Sequence, residues 1–374
     1  MNIKKKILII DENLPYLINE ISYPTGGASV QSYSWLKGFS ALGHKVSIGS
    51  SLINLKNVEY STVDIGYKKG SSHAQGIVET LFRLYKILTL HRPDIIFVST
   101  PGWSNIFIAI VARLKGVLLV QRISNDNIID HRIVAKLGFI KSGICILSMK
   151  IASLVVCQND YQHEHALRRF SRRKVYKITN PFLPQLKAEI NNERTYIAWI
   201  GLFQPQKNMR ELYNVASKLS GCKFKVAGCI SVATDLHTKK ILEDLETLSN
   251  IEFVGLLDRR GIIEFLSKSI CLLNTSHHEG FSNTYLEAFS VGTPVVTRSV
   301  TDPDLIIRKN KLGKSVEDYS ELSTAISHII TEEIDHARIG NYLTENHSPE
   351  LLCGQLLEKL GAGGKPCQVA EPRN

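Results

Sequence analysis

The sequence predicts an α/β protein built from two doubly wound, Rossmann-like domains that face a cleft. Three observations predict this fold. The chain has 374 residues, which suits two domains of ~100–200 residues each. Short apolar runs alternate with segments of helical periodicity, as in parallel sheets covered by helices on both faces. The alternation stops at a proline-marked break at 180–184 and then starts again.

The first predicted domain covers 1–180. It begins with a strand at 5–10, where an apolar run follows a basic cluster. A helix at 27–42 ends at Gly43, and a second strand follows it. The predicted elements after that helix are a strand at 44–48, a helix at 75–90, a strand at 94–99, a helix at 103–115 and a strand at 117–121.

The second predicted domain covers 195–345 and follows a polar linker that ends at Arg194. Its strands and helices alternate in the same way. The predicted strands are 196–200, 223–227, 251–254, 270–274 and 294–297, and the predicted helices are 208–219, 236–248, 260–267 and 283–290. A C-terminal helix is predicted at 346–360, and the Gly/Pro-rich tail 361–374 is predicted to be disordered.

The composition, 44% hydrophobic and 21% charged, is that of a globular protein and excludes collagen, coiled coil and disorder. The net charge of +10 is uneven, with 25 Lys and Arg against 12 Asp and Glu in residues 1–190. This asymmetry predicts an anionic partner for the first half: nucleic acid, a membrane surface or a phosphorylated acceptor. No nucleic-acid-binding motif occurs, so we expect no nucleic acid. A soluble basic protein without such a partner is the alternative.

The location expected from the sequence is the cytoplasm, with peripheral contact at the inner face of a membrane. No segment reaches the ~20 apolar residues needed to span a bilayer. The N-terminal apolar run is too short for a signal peptide. The seven cysteines are scattered and form no CxxC pair, which favours a reducing compartment.

Ligands of doubly wound sheets bind beyond the carboxyl ends of the strands, so the loops there are candidate sites. The loop at 24–28 contains Gly26 and Gly27, whose backbone N–H groups could approach a phosphate at a helix N-terminus. The spacing is not GxGxxG, which argues against a nicotinamide site, and a plain glycine turn is the alternative. The turn at 201–208 carries Lys207, a cation suited to a diphosphate or simply a solvated lysine.

The segment SHHEGFSNTYLEA, at 276–288, is the strongest motif. Glu279 and Glu287 lie eight residues apart around a glycine loop that becomes a helix, with Ser282 or Asn283 as its N-cap. Carboxylates suit sugar and ribose hydroxyls, and the N–H groups at 282–284 suit phosphates. Capping carboxylates without a ligand are the alternative.

The run EGFSNTYLEAFSVGTPVV, at 279–296, resembles the E-x7-E motif of family 4 retaining glycosyltransferases, which have the GT-B fold. The glycine loop, the Lys207 turn and the Asn180-Pro181 linker follow in matching order, so the resemblance covers most of 1–345. It implies a hexosyltransferase-type enzyme that moves a sugar from a nucleotide-sugar to a cell-envelope polysaccharide or lipid-linked glycan. It also implies chemistry without a metal or other cofactor.

The resemblance also implies roles for individual residues. Glu279 would meet the donor sugar and Lys207 the diphosphate, which makes these two the catalytic candidates. Glu287 would hold the ribose, and Gly26 and Gly27 would approach the donor from the first domain. The remaining donor-binding candidates, which form the phosphate cradle, are Gly280, Phe281, Ser282, Asn283 and Thr284.

Three departures from the family pattern stand out. Leu202 occupies a position where the family often has Arg, so the diphosphate has one cation fewer or takes one from elsewhere in the protein. The segment 120–126 lacks the family's His, and the candidates for sugar or acceptor contact there are Arg122, Asn125 and Asp126. Val300-Thr301 replaces a glycine pair that is common in the family.

A basic patch is formed by Arg168, Arg169, Arg172, Arg173 and Lys174. Upstream, apolar residues recur at helical spacing with cations beside them. The members of this stripe are Ile133, Leu137, Ile140, Ile144, Leu147 and Ile151. The pattern fits a helix lying on anionic lipid; a core stripe with a solvated charged face is the alternative.

Two other functions remain open at the level of sequence. A GT-B nucleotide-sugar epimerase would need no acceptor, and products formed from the donor alone would reveal it. A non-catalytic two-domain sugar-binding protein would bind a sugar without turnover. The long motif disfavours the first alternative, and the missing signal peptide disfavours the second.

Overall fold

The computed structural model describes residues 4–19, 26–51, 60–65, 73–184 and 193–362. The described residues form two compact units. One unit holds the residues up to Leu183 together with those from Ser348 onward, and the other holds 184–347. Each unit is built on one sheet whose strands are all parallel. The α/β class is therefore confirmed. Most of the predicted linker and of the predicted tail, and Pro24 and Thr25 of the glycine loop, lie outside the described residues.

The first unit has a seven-stranded sheet in the order β3-β2-β1-β4-β5-β6-β7. Its strands are β1 Lys6–Ile10, β2 Lys45–Ser50, β3 Ser61–Asp64, β4 Ile95–Val98, β5 Leu118–Arg122, β6 Leu154–Cys157 and β7 Val175–Lys177. Its helices up to this point are α1 Leu14–Ile18, α2 Gly27–Ala41, α3 His73–His91, α4 Asn105–Lys115, α5 Arg132–Leu137, α6 Phe139–Ile151 and α7 Asp160–Leu167.

The strands of this sheet are apolar on both faces because helices cover both. In β1, Ile7 and Ile9 pack with Trp35 of α2, whereas Leu8 packs with Ile108 of α4 on the other side. This period-2 alternation between two buried faces is why the strand reads as one continuous apolar run.

Five elements of the first unit are absent from the predictions: α1, β3, β6, α7 and β7. Strand β6 follows α6 after only two residues. In the sequence, its four apolar residues therefore look like a continuation of the apolar stripe at 133–151. The stripe itself is not one helix. Gly138, with φ +75°, separates α5 from α6 and changes the direction of the side chains. Ile133 is buried as a result, whereas Ile140 is exposed.

The second unit has a six-stranded sheet in the order β10-β9-β8-β11-β12-β13. Its strands are β8 Tyr196–Ile200, β9 Phe224–Ala227, β10 Ile251–Gly255, β11 Ser269–Leu273, β12 Val295–Arg298 and β13 Gly313–Val316. Its helices are α8 Met209–Lys218, α9 Leu236–Glu246, α10 Arg259–Ser267, α11 Asn283–Ser290, α12 Ile306–Lys309, α13 Leu322–Thr331 and α14 His336–His347. All five predicted strands are present, and the half-buried edge strand β13 is additional.

The last described helix, α15 Pro349–Ala362, returns to the first unit and packs on α2. Leu352, Cys353 and Leu356 join Trp35 in one buried cluster. Gly38 of α2 permits this approach, because a Cβ there would lie 2.6 Å from the Cys353 sulfur and 2.6 Å from the Pro349 carbonyl oxygen. The sequence predicted a helix at 346–360; the structure ends α14 at His347 and begins α15 at Pro349.

Both sheets reverse their strand order beside their first strand. Strand β1 lies between β2 and β4, and β8 lies between β9 and β11. Loops that leave two such neighbouring strands diverge to opposite faces, which opens a crevice at their carboxyl ends. Among the described residues, no helix has both the length and the apolar character that a membrane span requires.

Candidate active site

The turn after β8 is shaped by two glycines. A Cβ on Gly201 would lie 3.1 Å from the Trp199 ring and 3.4 Å from the side-chain carbons Cδ and Cε of Lys207. Gly228, at the end of β9, has φ +157°, and a Cβ there would lie 1.9 Å from the Gly201 carbonyl oxygen. The turn thus sits directly on the neighbouring loop, and the Lys207 stem lies along it.

Hydrogen bonds join this turn to the loop after β11. The Thr275 hydroxyl donates to the Lys207 carbonyl oxygen at 2.8 Å and accepts from Trp199 Nε1 at 3.0 Å. The His277 N–H donates to the Gln206 carbonyl oxygen at 2.9 Å. The two loops of the crevice are therefore fixed relative to each other.

Lys207 and Glu279 meet between these loops. Lys207 Nζ lies 2.6 Å from Glu279 Oε1, and the Ser276 hydroxyl donates to the same oxygen at 2.8 Å. The side chains are only 20% and 11% exposed, so solvent screens the pair weakly. Within the described part of the chain, Glu279 Oε2 accepts no hydrogen bond and Lys207 uses one of its three donors. The pair is ordered and keeps hydrogen-bonding capacity for a ligand.

Helix α11 begins beside this pair. Ser282 is its N-cap, one of the two residues predicted for that role, but its side chain does not cap the helix. The Ser282 hydroxyl instead lies 2.8 Å from the Thr284 hydroxyl. The ring of Phe281 packs edge-on against His347, with 5.6 Å between centroids. The positive end of the helix dipole therefore adjoins Gly280, which suits an anion.

Glu287 lies one turn further along α11. Burial raises its pKa to about 7, and the positive charge of Arg259 at the start of α10 opposes that rise. The helix is held against β12 by Tyr285, whose hydroxyl lies 3.1 Å from the Thr297 hydroxyl and donates to the Thr301 carbonyl oxygen at 3.1 Å. Glu287 is therefore carried on a fixed helix.

The sequence analysis gave no role to three residues near Glu279: His277, Arg298 and Tyr319. The Tyr319 hydroxyl lies 3.1 Å from His277 Nδ1 and donates to the Ser276 carbonyl oxygen at 3.3 Å. The Arg298 guanidinium lies 3.9 Å from the centroid of the Tyr319 ring. A cation at the carboxyl end of an apolar strand was the available signal, because Arg298 ends β12.

Thr301, in the pair that replaces the family's common glycines, helps to fix the loop after β12. The Thr301 hydroxyl lies 2.7 Å from the Thr297 hydroxyl, at the point where Tyr285 also binds. Asp302 follows and accepts from the N–H groups of Ile307 at 2.9 Å and Arg308 at 3.2 Å. Asp302 therefore fixes the start of α12. Its pKa is raised because it is buried.

Across 4–19, 26–51, 60–65, 73–184 and 193–362, no group of three or more His, Cys, Asp and Glu side chains is gathered as it would be around a metal ion.

A separate polar cluster occupies the carboxyl edge of the first unit. Asp11, directly after β1, accepts from the Ser29 hydroxyl at 2.9 Å and the Ser32 hydroxyl at 2.6 Å. The Ser32 hydroxyl also lies 2.8 Å from that of Ser99, which follows β4. These contacts fix the first turns of α2 against the sheet.

Gly26 and Gly27 begin α2 near this cluster. Gly26 is the N-cap, and a Cβ on it would meet no atom within 4 Å. The space that a close backbone approach requires is therefore present, and contact of these two glycines with the donor stays a prediction.

Arg122, Asn125 and Asp126 lie together at the end of β5, and the structure gives each a protein partner. Arg122 is buried, donates from Nη2 to Asn180 Oδ1, and has its pKa lowered to about 9 by desolvation. The Asn125 side chain accepts from the Asn127 N–H at 3.1 Å. Asp126 Oδ1 accepts from Gln162 Nε2 at 2.8 Å, and burial raises the pKa of this carboxyl. Their contact with a sugar or acceptor stays a prediction.

Comparison with known proteins places the second unit. Residues 185–346 match the family model described as "Glycosyl transferases group 1". The match covers nearly the whole of the second unit, which is therefore similar to a glycosyl transferases group 1 domain. This unit carries Lys207, Glu279 and Glu287, so the three charged candidates of the donor site lie within the matched segment.

Similar proteins extend the likeness beyond residues 185–346. The lipopolysaccharide core biosynthesis glycosyltransferase LpsE of Rhizobium meliloti (strain 1021) is 26% identical over 257 residues, which is 66% of this chain and 68% of that protein. The structure of Anabaena HepE in complex with UDP and glucose covers 96% of this chain and 100% of its own, at 14% identity and a TM-score of 0.74. The lipopolysaccharide outer core galactosyltransferase WaaB matches with a TM-score of 0.68 at 15% identity, over 96% of this chain and 99% of its own. The chain has the fold of the GT-B glycosyltransferases.

Proposed function

We propose that the chain is a retaining glycosyltransferase of the hexosyltransferase type. It moves a sugar from a nucleotide-sugar donor to a cell-envelope polysaccharide or lipid-linked glycan. The observation that carries the proposal is the Lys207–Glu279 pair, held at 2.6 Å beside the N-terminus of α11 within the segment that matches the glycosyl transferases group 1 model. The names of LpsE and WaaB support a cell-envelope acceptor.

In this proposal the glycosidic bond between the sugar C1 and the diphosphate oxygen breaks, and the diphosphate leaves with the electron pair. Lys207 and the N-terminus of α11 stabilise the charge that develops on the leaving group. Leu202 supplies no cation, and Arg298, joined to the Glu279 loop through Tyr319, is our candidate for the second positive charge. The acceptor hydroxyl attacks C1 from the same face, and its proton passes to a leaving phosphate oxygen.

In this proposal the two glutamates contact different parts of the donor. Glu279 contacts the sugar hydroxyls through Oε2, the oxygen that accepts no hydrogen bond from the described residues. Its negative charge stabilises the positive charge that develops on the sugar ring. Glu287, fixed one turn into α11, holds the ribose. The backbone of 280–284 completes the phosphate cradle. No divalent metal takes part, because Lys207, Arg298 and the helix N-terminus supply the positive electrostatic field.

Binding of the donor is tested with a thermal-shift panel of UDP-, GDP-, ADP-, dTDP- and CMP-sugars. A nucleotide present at ~100 times its Kd stabilises the native state by ~2.7 kcal/mol. We expect one base to raise the Tm of the wild type and Lys207→Ala to abolish the shift. Lys218→Ala is the matched control, since Lys218 is exposed on α8. The absence of any shift across the panel would contradict the proposal.

Product analysis with donor alone tests the epimerase alternative. A glycosyltransferase leaves the donor's sugar configuration unchanged and transfers it only when an acceptor glycan is added. An epimerised nucleotide-sugar formed without acceptor would replace the proposal. Binding with no turnover on any glycan would favour the sugar-binding alternative.

The first unit is also proposed to contact an anionic membrane. Its excess of basic residues supports this contact, as does a lipid-linked acceptor. The enzyme would then work in the cytoplasm, at the inner face of the membrane.

A further inference from the structure

Exposed apolar side chains are concentrated on one group of helices. Of the 21 large hydrophobic side chains exposed among the described residues, 12 lie between 77 and 147. The most exposed of them are Phe139 at 84%, Ile140 at 75%, Leu90 at 74%, Leu114 at 72% and Phe82 at 70%. Scattered apolar residues need no explanation, but a concentration of this kind marks an interaction surface.

These side chains form one surface because their helices are neighbours. Helix α3 packs on α4, and α4 packs on α6. Lys115 Nζ of α4 lies 3.5 Å from the centroid of the Tyr85 ring on α3. Lys141 Nζ of α6 lies 5.7 Å from the centroid of the Trp103 ring, just before α4. We call this surface the apolar strip; its members are Val78, Phe82, Tyr85, Trp103, Ile110, Leu114, Phe139, Ile140 and Leu147.

The side chains of the apolar strip are not part of the hydrophobic core of the first unit. In α4, the sheet-facing side buries Ile108 and Val111 in the cluster that contains Leu8 of β1. On the opposite side, Trp103, Ile110 and Leu114 recur at helical spacing and are exposed. The helix is therefore apolar on both sides, although only one side has a partner among the described residues. An apolar outer side on a surface helix requires an occupant.

The charges around the strip select that occupant. Helices α4, α5 and α6 contain six Lys and Arg and no Asp or Glu. Lys115 and Lys141 lie within the strip itself. A second copy of this chain on the strip would bring cations against cations. Helix α3 adds Arg83, Lys86 and one exposed carboxylate, Glu79. An apolar surface on which cations outnumber anions in this way matches the acyl chains and anionic headgroups of a lipid surface.

The arginine cluster of 168–173 borders the same side of the sheet. Ala166 of α7 shares a buried cluster with Cys145 and Met149 of α6. Lys174 Nζ donates to the Lys150 carbonyl oxygen at 3.3 Å and to that of Ala152 at 3.2 Å, at the end of α6. The cluster can therefore attract the same anionic surface without inserting into it.

We propose that the first unit docks on anionic membranes by inserting the apolar strip of α3, α4 and α6 into the lipid interface, with the arginine cluster as an electrostatic aid. The proposal deepens the membrane contact given under the proposed function by naming the inserting residues. The side chains of the apolar strip make the main contribution to membrane binding, and the arginines make a secondary one.

Tryptophan fluorescence gives a direct test, because the strip holds the exposed tryptophan of this protein. The chain has three Trp; Trp35 and Trp199 are 0% and 2% exposed, whereas Trp103 is 40% exposed. The full chain is mixed with vesicles of phosphatidylcholine alone or with phosphatidylglycerol, at low salt. We expect binding to the anionic vesicles only, a blue shift of the emission, and quenching by brominated acyl chains.

Substitution separates insertion from simple charge attraction. The triple variant Leu114→Ser, Phe139→Ser, Ile140→Ser removes three of the most exposed apolar side chains. It should lower the partition coefficient at least ~10-fold, because that apolar surface would otherwise be buried in the lipid interface. The matched control, Val232→Ser, Leu236→Ser, Leu256→Ser, changes three exposed apolar residues of the second unit and should bind as wild type. Replacing Arg168, Arg169, Arg172 and Arg173 with Ser should weaken binding yet leave the blue shift of the bound fraction.

Three results would overturn the proposal. They are wild type that ignores anionic vesicles at low salt, a triple variant that binds like wild type, and bound protein whose Trp103 is neither shifted nor quenched. A concentration-dependent dimer that the triple variant abolishes would instead assign the strip to a second copy. The nucleotide thermal shift of the triple variant is measured alongside, so that loss of docking is distinguished from failure of the proposed function.

Discussion

Glu279 and Glu287 belong to one sequence motif but have different surroundings. Glu279 is paired with Lys207 in the crevice, whereas Glu287 stands on a helix fixed by Tyr285. Removing a charged hydrogen-bond partner costs ~1.5–3 kcal/mol, or about ten- to a hundredfold in affinity. We therefore expect Glu287→Ala to weaken the free nucleoside diphosphate and the intact donor alike.

We expect Glu279→Ala to leave diphosphate affinity nearly unchanged and to reduce turnover strongly, because its contacts act on the sugar as charge develops. Calorimetric titration with the nucleoside diphosphate, beside a turnover assay, measures both effects. Equal loss of diphosphate affinity in the two variants would contradict this division, and so would undiminished turnover in Glu279→Ala.

The raised pKa of Glu287 predicts a pH dependence of stability. Its carboxyl has a pKa of about 7 in the fold against an ordinary value of 4.5, so folding favours the protonated form. The contribution is complete below pH ~4.5 and is lost as the pH rises through ~7. Because Glu287 is half-buried, we expect a loss of about 1–2 kcal/mol in unfolding free energy.

Urea unfolding at pH 5 and pH 8, in wild type and Glu287→Gln, measures this loss. Glu287→Gln cannot ionise, so its stability should fall less between the two pH values. Other buried carboxyls, such as Asp302, titrate equally in both proteins and cancel in the comparison. An identical pH dependence in the two proteins would show that Glu287 ionises normally.

At the scale of the elements, the packing of α15 on α2 depends on one glycine. A Cβ on Gly38 would press against backbone and sulfur at 2.6 Å, so Gly38→Ala should destabilise the first unit by ~1–3 kcal/mol. The matched control is Gly354→Ala in α15, where a Cβ meets no atom within 4 Å. That change should stabilise the helix by ~0.5–1 kcal/mol. Urea midpoints that move in the same direction for both variants would refute the packing argument.

Sequence patterns predicted the long elements and missed the short ones. Strands such as β8 and β11, with apolar residues on both faces, were found because burial on both sides leaves an unbroken run. Strand β13 was missed because its residues are half-buried at a sheet edge. Gly138 gave no sign that it would split the apolar stripe, since glycine inside a helical pattern is often tolerated.

For the candidate site, the sequence predicted the residues that lie within continuous motifs and missed those brought together by folding. Lys207, Glu279 and Glu287 lie in contiguous motifs, and the structure shows the first two in contact. Arg298, Tyr319 and His277 meet through tertiary packing of separate loops, which spacing along the chain cannot reveal. The serines around Asp11 were missed likewise, because Ser99 is 67 residues from Ser32.

At the scale of the whole molecule, the positive groups of the donor site predict catalysis without a divalent ion. In the proposed mechanism, Lys207, Arg298 and the N-terminus of α11 provide the positive electrostatic field that a metal ion would otherwise supply. Turnover should therefore be unchanged by EDTA. The assay includes Mg²⁺ and Mn²⁺ add-back, with a commercial metal-dependent glycosyltransferase as the control for chelation. Activity that disappears in EDTA and returns with either ion would contradict the prediction.

The return of α15 to the first unit has a consequence for the order in which the protein matures on the ribosome. Nascent domains generally fold as they emerge, but the hydrophobic core around Trp35 requires Leu352 and Leu356, which are synthesised after the whole of 184–347. The second unit is one uninterrupted stretch of chain and has all its residues before the first unit does. The earlier-made half therefore keeps part of its core uncovered until α15 has been synthesised.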